Sequence, residues 1–114
     1  MGVEMSVYHR TYTRTPLALG VVLQFNGKKM AHTCTRNINL FGAFIELSKP
    51  KLVTNDFVSI YFTSQDEDHA CVIQKGMVMH CSKEGVGILF ACDTKEFRTM
   101  LHQQITNIGK ANQI

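Results

Sequence analysis

From Leu17 to Phe25 every odd position is apolar: Leu17, Leu19, Val21, Leu23 and Phe25. A period of two over nine residues predicts a strand with one buried face. Asn26-Gly27 follows, a dipeptide whose residues both tolerate the positive φ of a tight hairpin turn. The return strand is expected over about Lys29 to Thr35, with Met30, His32 and Cys34 on one face. A polar interruption, Arg36 to Gly42, reads as an irregular connection or bulge before the apolar pattern resumes at Ala43–Leu47. Three further strands are expected at Phe57–Phe62, Ala70–Cys81 and Val86–Phe90, separated by the polar runs 64–68 and 82–85. Gly76, inside the longest of them, is expected to mark a bend or bulge. Short strands at regular spacing suggest a closed barrel or a sandwich.

The period then changes. Asp93 with Glu96 three residues later is a capping-box pattern, and Phe97, Met100, Leu101, Ile105 and Ile108 recur at helical spacing up to Gly109. This amphipathic helix, 93–109, should dock on the sheet or against another protomer. The chain is therefore expected to be mainly β, with about six antiparallel strands and a C-terminal amphipathic α-helix.

Composition narrows the class without changing this picture. The 114 residues suffice for one domain, and 45% hydrophobic with 18% charged residues argues against disorder. No apolar stretch is long enough to span a membrane, and the start, Met1-Gly2-Val3-Glu4, lacks the pattern of a secretion signal. A cytoplasmic protein is the expectation. Met1-Gly2 with Ser6 matches the loose N-myristoylation rule, a pattern too short to carry weight. Three of the four cysteines, Cys34, Cys71, Cys81 and Cys92, lie in strongly apolar stretches and read as free, buried thiols rather than a disulfide framework. The net charge of +3 is too mild to imply nucleic-acid binding by itself, so the placement of the cations matters more than their sum.

Two segments carry candidate chemistry. Arg10 and Arg14, interleaved with Tyr8, His9 and Tyr12, put two planar guanidinium forks four residues apart. Such forks suit phosphates and the O6/N7 edge of guanine. Asn37-x-Asn39-x-x-Gly42 offers two amides that share one side if the backbone is strand-like, and a glycine that permits close approach. An ordinary turn, with both asparagines satisfying local backbone groups, fits the same residues.

Together, and in this order, these segments resemble the PilZ domain family, bacterial receptors for cyclic di-GMP. The family pattern is Arg-x-x-x-Arg on an N-terminal arm, followed by Asp/Asn-x-Ser-x-x-Gly in a small β-barrel. The resemblance runs from about His9 to Ala91 and includes Gly42-Ala43 and the closing Gly85-Val86-Gly87-Ile88-Leu89-Phe90. It implies a PilZ-like barrel over 17–91, a flexible arm over 1–16, and cyclic di-GMP as the ligand with no cofactor or metal. It also implies that Arg10 and Arg14 grip phosphates and guanines, that Asn37, Asn39 and Gly42 meet a guanine edge, and that Arg36 adds a contact. The partner would be a protein effector, in motility or in exopolysaccharide and biofilm control. One departure is Asn39, where the family has serine.

Two other readings stay open: an adaptor that keeps the barrel and binds protein without nucleotide, and a small barrel that binds single-stranded nucleic acid through Tyr8, Tyr12 and Phe41. A zinc site from His69, Cys71, His80, Cys81 and Cys92 has the wrong spacings, and no Cys/His catalytic pattern is present, so an enzyme is not expected. The acidic run Asp66-Glu67-Asp68 reads as a solvated hairpin tip, and Met30, Met77 and Met79 as core fillers.

Overall fold

The computed structural model describes residues 15–63 and 72–111, with side chains as far as residue 106. Its elements are β1 (Thr15–Pro16), β2 (Gly20–Phe25), β3 (Lys28–Ile38), β4 (Gly42–Glu46), β5 (Phe57–Phe62), β6 (Val72–Cys81), β7 (Gly85–Phe90) and α1 (Lys95–Ala111). The strands are antiparallel in the order β1-β3-β2-β5-β6-β7-β4, and pairing of β3 with β4 closes the last six into a barrel. Closure leaves those strands without an open edge. All six expected strands are present, and the two-residue β1 adds a short flank beside β3.

Alternation explains the interior. Val21 and Leu23 from β2, Ala43 and Ile45 from β4, Val58, Ile60 and Phe62 from β5, and Val86, Ile88 and Phe90 from β7 form one buried cluster. Asn26 and Gly27 take positive φ values of 54° and 74°, as the hairpin reading required. Leu17 and Leu19 also face the core but precede the β2 ladder. The buried Thr35 hydroxyl ties them down: its Oγ1 donates to the Leu17 carbonyl at 2.6 Å and accepts from the Leu19 amide at 2.9 Å.

Helix α1 closes one end of the barrel. Thr94 is its cap, accepting the Phe97 amide at 3.2 Å, while Asp93 pairs with Arg98 at 3.1 Å, so the cap lies one residue beyond the expected Asp93. The helix also runs to Ala111, past the expected stop at Gly109. Phe97 is fully buried, with its ring 5.4 Å from Phe62 and 5.0 Å from Phe90, and Leu101 follows it inward. The first turns of the apolar stripe therefore dock on the barrel, while Ile105 is exposed.

Several local expectations are corrected. Gly76 is not a bulge; a Cβ there would run into Ile88 Cγ2 and lie 2.8 Å from the Leu89 carbonyl oxygen, so it serves close packing between β6 and β7. The bulge lies two to four residues later, between Val78 and His80, and Met79 there is half exposed rather than a core filler. Met77 is only half-buried, whereas Met30 packs on the core. The described cysteines are free, but Cys81 and Cys92, at or just past strand ends, are exposed, and Cys34 within β3 is half-buried. Among the described residues no helix is long and apolar enough to cross a membrane. Cys71, His69 and the acidic run lie outside the described residues, and among those described no cluster suits a metal ion.

Gln74 is the exception inside the barrel. It is 1% exposed, and neither amide atom has a hydrogen-bond partner. Its register neighbours explain the isolation: Val72 pairs with Phe62 and Gly76 with Phe90, so the amide between them faces the aromatic cluster that Phe97 completes. A buried amide without partners costs about 1–3 kcal/mol. Gln74→Met, which keeps the length and removes the amide, should raise stability by about 1–2 kcal/mol in urea denaturation. A loss of stability would show that the amide is satisfied in solution.

Candidate functional site

The site begins at a break in alternation. Thr35 pairs with Ile45 and faces inward, but the next β4 residue, Phe44, pairs with Asn37, so Arg36 is an extra residue on β3. A bulge of this kind turns two successive side chains toward one face. Arg36 thereby joins Asn37 on the outside of the barrel, where strict alternation would have separated them.

Phe44 is the centre of that outer face. It is 8% exposed yet lies apart from the interior cluster, covered by Arg36, whose guanidinium carbon sits 4.6 Å from the ring centroid, and by His80 at 5.9 Å between centroids. The β6 bulge turns His80 outward just as the β3 bulge turns Arg36. Beneath the ring β7 carries Gly85, where a Cβ would meet the Ile45 carbonyl oxygen and lie 2.7 Å from the Phe44 ring, so only glycine gives the aromatic ring its seat. Two bulges and one glycine thus assemble Arg36, Asn37, Phe44 and His80 from three strands.

Arg36 is held by charge as well as by stacking. Its Nε donates to Glu46 Oε1 at 3.0 Å and its Nη1 to Glu84 Oε2 at 3.1 Å. The hydrogen bond to Glu46, and then that to Glu84, push the guanidinium pKa further above its ordinary value. All three side chains reach solvent. Beside them lies an open cleft of about 540 Å³, lined by His32, Thr33, Glu46, Ser48, Lys83 and Glu84 among others.

Asn39 takes a different role from Asn37. The chain leaves β3 at Ile38, so alternation ends there, and Asn39 Oδ1 turns back to accept the amides of Phe41 at 2.7 Å and Gly42 at 3.0 Å. Its own amide nitrogen donates to the Gly42 carbonyl at 2.9 Å. This Asx-type turn fixes the entry into β4 and half exposes Phe41. Gly42 is buried at the start of β4, opposite Leu89. Arg10 and Arg14 lie outside the described residues. The described chain begins at Thr15, which pairs with Ile38, and Pro16 pairs with Asn37. Of the expected site residues, Arg36, Asn37, Asn39 and Gly42 therefore occupy one short stretch of the barrel around the β3–β4 turn. Sequence reasoning missed Phe44, His80, Glu46 and Glu84; Gly85 and the apolar step after Gly42 were the signals nearest to them.

Comparison with known proteins agrees with this geometry. The barrel and helix are similar to the structure of the Bacillus subtilis inhibitor of motility (MotI/DgrA), with a TM-score of 0.69 and 16% identity over 89% of this chain. This chain spans 52% of that protein, about half its length. They are also similar to the PilZ domain of CeSA from a cellulose synthesizing bacterium, with a TM-score of 0.59 and 18% identity over 83% of this chain and 90% of that one. At such identities the likeness concerns the fold. No curated protein matches the sequence. The family model of the PilZ domain matches residues 8–107, from just before the arginine pair to within the helix. With that match over most of its length, and with the barrel, the β3–β4 turn and the closing glycine strand in place, the chain belongs to the PilZ domain family.

Proposed function

We propose that this chain is a cytoplasmic receptor for cyclic di-GMP that passes the signal to a protein effector, acting by binding and not by catalysis. The observation that carries this reading is the register of β1. Thr15–Pro16 pairs with Asn37–Ile38, so the chain bearing Arg10 and Arg14 joins the barrel at the very residues that carry the amide motif. Cyclic di-GMP is a dianion with two guanine faces, and two arginine forks closing over the amides complement both features.

An exposed apolar band supports the effector part of this reading. On the outer face Phe57 pairs with Met77 and Met77 with Leu89, which in turn faces Gly42 at the start of the amide turn. Phe57 and Leu89 are exposed, so an apolar band leads from the candidate site across four strands. Such bands commonly meet protein partners. The motility inhibitor and the CeSA domain among the similar structures make motility and cellulose production the processes to examine first.

Thermal melting with added nucleotide tests the reading. A ligand that binds only the native state raises the melting temperature, by an amount that grows with the logarithm of its concentration above Kd. Cyclic di-GMP should do so, and equal concentrations of GTP or a short oligonucleotide should not. Stabilisation by the oligonucleotide alone would favour single-strand binding instead, with the strong salt dependence that such binding carries.

Asn39 offers a second check. A serine hydroxyl can cap the same turn and is the family residue, so Asn39→Ser should leave cyclic di-GMP affinity unchanged or tighter. A loss of more than about tenfold, equivalent to about 1.4 kcal/mol, would mean that the amide itself is required.

A further inference from the structure

Arg36 is the described cation nearest to the amide motif, yet it is already engaged. A guanidinium presents two bidentate forks, one made by Nε with the neighbouring Nη and one by the two Nη groups. Glu46 takes the Nε donor at 3.0 Å and Glu84 takes an Nη1 donor at 3.1 Å. Two of the five donors are therefore occupied, among them the Nε that one fork requires, so an arriving phosphate can take that fork only by displacing Glu46 and must otherwise share the guanidinium with both carboxylates.

The arrangement is built from three elements. Arg36 comes from the β3 bulge, Glu46 from the end of β4 and Glu84 from the turn before β7. Phe44 beneath holds the guanidinium plane, so the arginine can exchange partners without leaving its stack. Arg36 with its two glutamates carries a formal charge of −1, offset by Lys83 in the same cleft, so removing either glutamate's charge favours a dianion. The carboxylates are solvent-exposed, 45% and 71%, so water can take them over when they are displaced.

We propose that Glu46 and Glu84 act as internal competitors for Arg36 and thereby set the affinity of the site for its anionic ligand. The proposal rests on the cyclic di-GMP reading above. It makes the two glutamates affinity-determining residues: the ligand phosphate replaces a carboxylate on Arg36, and the released carboxylate turns to water.

The experiment is isothermal titration calorimetry of the full chain with cyclic di-GMP, comparing wild type, Glu46→Gln, Glu84→Gln, Arg36→Ala and Arg36→Ala combined with Glu84→Gln. Glutamine keeps the shape and removes the charge. Each single glutamine variant should bind about three- to fivefold more tightly, the upper part of the scale for exposed charge pairs, and the gain should shrink as salt is raised. In the Arg36→Ala background the Glu84→Gln gain should fall below about twofold, because the competition has lost its object. Binding by wild type with no tightening in either glutamine variant overturns the proposal and leaves the receptor reading standing. An equal gain with and without Arg36 also overturns it, because that outcome is simple repulsion. No heat from wild type or from either glutamine variant overturns both the receptor reading and the proposal.

Discussion

Arg14→Ala is expected to weaken cyclic di-GMP binding by about 2–4 kcal/mol, a factor of tens to hundreds. The magnitude follows from what the side chain would do. A bidentate arginine–phosphate pair combines charge with directed hydrogen bonds, and its removal leaves a ligand charge uncompensated on a face where Arg36 is already committed to two carboxylates. Position matters as much as charge. Arg14 directly precedes Thr15, which is paired with Ile38 beside the amide turn. Arg14→Lys should recover only part of the loss, since an ammonium keeps the charge but lacks the planar fork. Calorimetry of the three forms provides the check, and an unchanged affinity for Arg14→Ala would remove this residue from the site.

Phe97→Ala should cost about 3–5 kcal/mol of stability, the range for truncating a buried phenylalanine in a packed core. The ring is fully buried between Phe62 and Phe90, which themselves pack edge to face at 6.4 Å, so alanine would leave a cavity walled by rigid strands. Collapse around it is restricted because β5 and β7 are paired on both sides within the closed barrel. Urea denaturation followed by far-ultraviolet circular dichroism measures the effect. A loss below about 1 kcal/mol would show that α1 contributes little to closing the barrel.

These two residues also mark what was legible in the sequence. Phe97 stood at the head of a helical stripe that period marked for docking on the sheet or on another protomer, and the structure shows the first; the same reasoning located all six barrel strands and the Asn26-Gly27 hairpin. Ends were less legible. Thr94 rather than Asp93 caps the helix, because both residues can cap and only the packed geometry decides which one does. Gly76 was taken for a bulge, although the strand kinks at Met79, since a glycine that lets two strands approach reads the same as one that lets a strand bend.

The candidate site divides in the same way. Arg36, Asn37, Asn39 and Gly42 are close in sequence and were found by spacing. For Asn37 and Asn39 the spacing fitted either one face of a strand or an ordinary turn; the strand ends at Ile38, and Asn39 closes the turn through its own Oδ1. The carboxylates on Arg36 could not be read from the chain, because Glu46 lies 10 residues away and Glu84 lies 48 away. Their approach depends on the β3 bulge and on β4–β7 pairing, which no local pattern encodes. Phe44 was hidden for a related reason: one apolar residue within Ala43-Phe44-Ile45 looks like core, and only the register with Asn37 turns it outward.

The central claim is that this barrel is a cyclic di-GMP receptor, and calorimetric titration of the wild-type chain with that nucleotide tests it most directly. Binding at or below micromolar concentration with cyclic di-GMP, and none with GTP or a short oligonucleotide, is the predicted result, and the stoichiometry would show whether one nucleotide or two fill the site. Absence of heat and of thermal stabilisation with cyclic di-GMP would contradict it and leave a PilZ barrel that works through protein contacts alone.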